Sequence, residues 1–182
     1  MKQITLIVFL LAAVYTDCTA QSHFTKNGKI SFFSSTSFED IKADNNQVIS
    51  VINTSTGDIQ FSLLNNAFHF KKALMEEHFN EDYIESAKYP KSTFKGTITN
   101  LGSINFNSDG TYKVTVAGSL HIHGVTKTIS VPATITINSG KITAGSKFTI
   151  KPKDYNIVIP GSVKNNIAED IEVTIGCQYE KK

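Results

Sequence analysis

Arginine is absent from this 182-residue chain: all eighteen basic residues are lysine. Arg supplies most bidentate contacts to phosphate and guanine, so its absence argues against a nucleic-acid partner. A formal net charge of +2 gives no reason to expect a polyanion either. Trp is also absent, and Cys occurs only at Cys18 and Cys177. The Gly-rich phosphate loops of known spacing are missing, as is a G-x-S-x-G nucleophile elbow. The one long apolar run, Ile4 to Val14, is too short to span a bilayer comfortably, so stable membrane insertion is not expected.

That run follows a short charged start, Met1-Lys2, and precedes Cys18-Thr19-Ala20. Small residues there suit a signal peptidase, so residues 1–20 read as a leader cleaved after Ala20. The competing reading is a lipoprotein anchored at Cys18, which Asp17 fits badly. A periplasmic or secreted mature domain, 21–182, is therefore expected. If Cys18 leaves with the leader, Cys177 is a lone thiol and no internal disulfide can form. The exported domain must then rely on its core.

What the chain has in quantity is strand pattern. Ile30 and Phe32 begin one strand, and Val48 to Ile52 reads as another, apolar at nearly every position. Ile59, Phe61 and Leu63 share a face opposite Asp58, Gln60 and Ser62. The longest alternation puts Tyr112, Val114, Val116, Gly118, Leu120 and Ile122 on one face. It puts Lys113, Thr115, Ser119, His121 and His123 on the other. Gly124 permits a tight reversal, and Ile129, Val131, Ala133, Ile135 and Ile137 follow on one face. Ile142, Phe148 and Ile150, then Ile171, Val173, Ile175, Cys177 and Tyr179, make two more inner rows. Long strands, short turns and one apolar face predict an all-β fold. Roughly eight such strands would close as an up-and-down barrel or fold into a sandwich.

Between Lys71 and Phe94 the pattern changes. Leu74, Met75, Phe79 and Tyr83 recur at helical spacing, with Glu76, Glu77, Asn80, Glu81 and Asp82 between them. A short helix is expected, broken near Asn80 and ended at Pro90. Laid on a barrel, it would cap one opening.

Chemical candidates are few. His121 and His123 are two apart on a strand, and His69 and His78 could complete a metal set. The alternation places the pair on the outer, polar face, which favours structural or solvated histidines. The helical carboxylates read as a solvated face and Cys177 as a core thiol. The remaining candidates are inward aromatics and aliphatics suited to an apolar chain: Phe32, Phe61, Phe68, Phe79, Phe94, Leu120, Ile122, Ile129, Phe148 and Tyr155. Sequence alone leaves a hollow and a filled barrel equally open.

Four stretches resemble one family. Met75 to Phe94 (M-E-E-H-F-N-E-D-Y-I-E-S-A-K-Y-P-K-S-T-F) resembles the short-helix segment of YceI-like proteins, with its Tyr-Pro before a Phe-containing strand. Gly118 to Lys127 (G-S-L-H-I-H-G-V-T-K) resembles the family's Gly-x-Leu strand and His-Gly-Val-Thr turn. Lys153 to Ile157 (K-D-Y-N-I) sits where the family has an Arg-x-Asp-Phe-Gly-Ile-like stretch, with Lys in place of Arg and Asn156 in place of Gly. Asp170 to Val173 resembles the closing strand. The resemblance implies an all-β, lipocalin-like antiparallel β-barrel, exported, that holds a polyisoprenoid or similar long apolar lipid in its interior. The first reading is such a binding protein, with no catalysis, metal or cofactor expected. The readings kept beside it are a metal-binding protein or enzyme using the histidines, and a packed barrel acting as an interaction module. A second copy of the chain is retained as a candidate partner in a homodimer.

Overall fold

The computed structural model describes residues 21–181. The leader reading and the Cys18 anchor therefore lie outside the described residues. The strands are β1 (Ser22–Ser35), β2 (Asp40–Asn53), β3 (Asp58–Leu64), β4 (His69–Phe70), β5 (Lys91–Ile98), β6 (Gly110–Ile122), β7 (Val125–Asn138), β8 (Lys141–Ile150) and β9 (Ile171–Lys181). One helix, α1 (Ala73–His78), runs into a π-helical turn, Phe79–Tyr83.

All the strand pairs are antiparallel, and neighbours in sequence are neighbours in space: β9-β8-β7-β6-β5-β3-β2. β1 pairs with both β9 and β2, which closes an eight-stranded up-and-down barrel and leaves those strands no free edge. β4 is a two-residue stub on β2. The expected lipocalin-like barrel is what forms.

Following the chain up and down sorts the connections between two ends. One end carries the β2–β3, β5–β6 and β7–β8 connections. The other carries residues 36–39, 65–90 and 151–170 and the β6–β7 turn. The first end is packed solid. Ile52, Ile59, Ile98, Ile135 and Ile137 are nearly inaccessible there, and Leu101, Ile104 and Phe106 of the β5–β6 connection pack beneath them. Each such side chain contributes about 1.5–3 kcal/mol by leaving water.

One sequence reading gains detail and another changes. Val48 to Ile52, apolar at nearly every position, is buried on one face only: Val48, Ser50 and Ile52 point in, while Ile49 and Val51 point out and are exposed. Buried Ser50 donates to the Gln60 carbonyl at 2.9 Å and accepts from the Tyr179 hydroxyl at 2.7 Å, so the polar atom inside is satisfied. The helical segment stops before Pro90. It ends at Tyr83, where Ile84 N–H donates to the Phe79 carbonyl, five residues back, and Glu85 takes a left-handed conformation (φ 46°). The expected break near Asn80 is this π turn, a change of winding within one continuous segment.

Candidate functional site

Above the packed end the barrel is hollow. A cavity of about 510 Å³ opens among residues 36–39, the helical segment and residues 151–170, within the range of small-molecule sites. The strand alternation builds its wall. Phe32, Phe61 and Phe94 enter from β1, β3 and β5, Leu120 and Ile122 from β6, and Ile129 and Phe148 from β7 and β8. Phe68 and Phe79 enter from the segment crossing the mouth, where Leu74, Met75 and Tyr83 also face the cavity, as their spacing predicted.

The aromatics act as a group. Phe32 lies 5.3, 5.6 and 5.5 Å, centroid to centroid, from Phe68, Phe70 and Phe79. Phe79 in turn lies 5.6 and 5.2 Å from Phe68 and Phe70. Tilted and edge-on pairs at this range are each worth about 0.5–1.5 kcal/mol beyond area burial. The four rings fix the helical segment to the barrel at the β1–β2 side of the mouth.

Phe94 needs a different accommodation. Its ring lies over Gly96 and Gly118, which face each other across β5 and β6. A Cβ on Gly96 would come 2.6 Å from the ring, and one on Gly118 would come 2.8 Å from it. Two glycines in register make the trough the ring occupies.

Tyr155 is not in the wall. It is buried in the 3₁₀ turn Pro152–Tyr155, apart from the cavity lining. Nor is His123 on the outer face. His123 and Gly124 are the two central residues of the β6–β7 hairpin, both with positive φ (49° and 75°), and this turn conformation overrides the strand alternation. The ring is 8% exposed and packs edge-on to Tyr89 at 4.4 Å. Its Nδ1 is 3.0 Å from the Tyr155 carbonyl and its Nε2 2.7 Å from the Glu85 carboxylate. Both partners only accept, so both ring nitrogens are placed to donate. The hydrogen bond from His123 is the largest cause holding the Glu85 carboxyl below the usual carboxylate range. Three segments around the mouth are thereby joined through one ring.

The other histidines have separate surroundings. His121 Nδ1 pairs with the Thr126 hydroxyl at 2.9 Å, His69 lies 3.5 Å from Glu76, and His78 is exposed on the cavity rim. Among the described residues, no three His, Cys, Asp or Glu side chains converge as a metal set would require. Cys177 is buried at the packed end, where desolvation pushes its thiol up to about 11.

Sequence reasoning missed the contribution of residues 151–170. Ile157, Ile159, Val163 and Ile167 line the cavity from that loop, and exposed Val158 points away. The short apolar run Ile157-Val158-Ile159 was the available signal, masked by its flanking turns. The loop also helps close a polar contact at the mouth. Glu39 accepts from Lys72 Nζ at 2.7 Å and from the Asn166 amide at 3.4 Å, and these bonds hold its carboxyl below the usual range.

A model of the YceI-like domain matches residues 12–179. The chain belongs to the YceI-like family. Solved structures agree on the fold. A polyisoprenoid-binding domain from Saccharophagus degradans, implicated in plant cell wall breakdown, superposes with TM-score 0.77 at 17% identity, covering 90% of this chain and 99% of that one. Burkholderia cenocepacia BcnA gives 0.70 at 18%, covering 84% and 96%. The YceI protein of Campylobacter jejuni gives 0.57 at 18%, covering both chains in full. No curated protein matches. In this YceI-like chain the departure at Asn156 has a local reason. The residue is left-handed (φ 58°, ψ 23°), a conformation Gly adopts freely and Asn tolerates better than most.

Proposed function

We propose that the chain is an exported binding protein that holds a long apolar lipid of isoprenoid type in the barrel, without catalysis. The observation that carries the reading is a one-ended cavity with an almost wholly aliphatic and aromatic wall. Burial of a ligand chain there would contribute about 25 cal/mol per Å² of apolar surface removed from water. Similarity to a polyisoprenoid-binding domain supports it. The hollow upper half weighs against a packed barrel acting only as an interaction module, and the scattered histidines weigh against a metal carrier. Export rests on the leader pattern of residues 1–20.

Organic extraction of purified protein followed by mass spectrometry tests the reading. The expected result is a co-purifying polyprenyl-type lipid, or uptake of a polyprenyl probe by stripped protein. Failure of both would overturn it. Metal analysis of the same sample separates the histidine reading. Sequencing the mature N-terminus tests export: Gln21 is expected, whereas an acylated Cys18 would make the protein membrane-anchored.

A further inference from the structure

The cavity wall is short of charge, and the charges it has cancel. Among the described residues, Glu39 is the only carboxylate lining it and Lys72 the only ammonium. The two are bonded to each other at 2.7 Å. His78 is exposed at the outer rim, and no Arg exists anywhere in the chain. The remaining polar groups that face the hollow are uncharged. Asn166 donates to Glu39, the Ser34 hydroxyl accepts from Ala168 N–H at 2.8 Å, and Ser92 donates to the buried Asn65 at 2.7 Å.

We infer that the lipid's head is uncharged, a hydroxyl or carbonyl group, and sits at the mouth against the Glu39–Lys72–Asn166 contact. The inference rests on the lipid-binding reading and narrows its ligand class. A neutral head can accept from a remaining Lys72 N–H, or donate to a free lone pair of Glu39, without breaking the pair. An anionic head has no such place. Deeper in the barrel it would meet no cation, and a buried unpaired ion is costly. At the mouth it could only share Lys72 with Glu39, with no second ammonium in the wall, and would then lie beside that carboxylate. Like charges in close contact disfavour each other's ionised form. The segments bearing Glu39, Lys72 and Asn166 come from three separate connections, so the head would touch all three at the rim.

Competition binding with a polyprenol and the polyprenyl phosphate of the same chain length tests this on the full mature chain. The parent protein is expected to bind the polyprenol at least tenfold more tightly. Glu39→Gln removes the competing charge and leaves Lys72 free, so it should raise phosphate affinity and shrink or reverse that ratio. Lys72→Gln should widen it. Circular dichroism checks that both variants keep the β fold. Tighter binding of the phosphate by the parent, or a ratio that neither substitution moves, would overturn the inference and leave the lipid-binding reading intact. Binding of neither probe would overturn both.

Discussion

Ile122 and His121 are neighbours whose side chains leave β6 in opposite directions, and that parity decides what each can do. Ile122 lines the cavity, while His121 pairs with Thr126 outside it. Ile122→Asp would put a carboxylate against an apolar wall with no free cation near it. Ligand affinity should fall by tenfold or more, because an unpaired buried charge costs several kcal/mol. Stability should fall less than for a fully packed site, since the residue borders a hollow. His121→Asp should change the melting free energy by no more than about 0.5 kcal/mol, as outer-surface changes usually do. Thermal melts and probe titration of the pair read both effects. Damage confined to His121→Asp would mean that the register is inverted. The parity was legible in the sequence because it needs only a period of two. The burial of His123 was not, because its turn conformation and its partners, 38 and 32 residues away, override the period.

That same contact predicts a pH dependence. The Glu85 carboxyl is held low, first by the hydrogen bond from His123. A carboxyl lowered by folding contributes stability that is present above its unfolded value and lost as pH falls through the folded one. Glu85→Gln should therefore lower the melting temperature at neutral pH. Its difference from the parent should shrink as the buffer passes below pH ~4, the ordinary carboxylate range. A difference that stays constant down to acid would show that the charge of Glu85 contributes nothing.

At the scale of elements, β5 and β6 can approach under the Phe94 ring only because Gly96 and Gly118 carry no side chain. A Cβ at Gly118 would overlap the Lys95 carbonyl and the Gly96 backbone as well as the ring. Gly118→Ala is expected to cost about 1–3 kcal/mol, the usual range for overpacking, and chemical denaturation measures it. An unchanged midpoint would mean that the strands part freely there. The reading of Gly118 on the inner face came from alternation. The matching Gly96 did not, because the strand register that pairs them is a long-range fact.

The helical segment shows the same division. Its apolar stripe was readable, and all four residues face the cavity. Its π turn and its end at Tyr83 were not, since both follow from contacts with the mouth. Phe79 touches three other rings as well as the hollow. Phe79→Ala should therefore cost both quantities, about 2 kcal/mol of stability and a severalfold loss of ligand retention. Retention equal to the parent's would remove the segment from the site.

For the whole molecule, the division between a packed end and a hollow end governs how mutations divide. A closed up-and-down barrel has one continuous inner face, and alternation marks every residue on it alike. Whether a given inward residue meets core or cavity depends on the summed volume at that level. No single position records it, which is why filled and hollow barrels read the same in sequence. β7 crosses both regions: Ile137 is 2% exposed among the packed residues, whereas Ile129, eight residues earlier, lines the cavity. Ile137→Ala should cost about 2–5 kcal/mol, the range for emptying a packed site, and leave ligand affinity unchanged in the molecules that remain folded. Ile129→Ala enlarges a space that already exists. It should cost distinctly less stability but weaken binding of a polyprenyl chain by roughly the contact of three lost carbons, about 0.8 kcal/mol for each that the ligand had covered. Measuring both quantities on both variants makes the comparison internal to one strand. If the two substitutions cost the same stability and Ile129→Ala binds like the parent, the upper half of the barrel is packed in solution and contains no site.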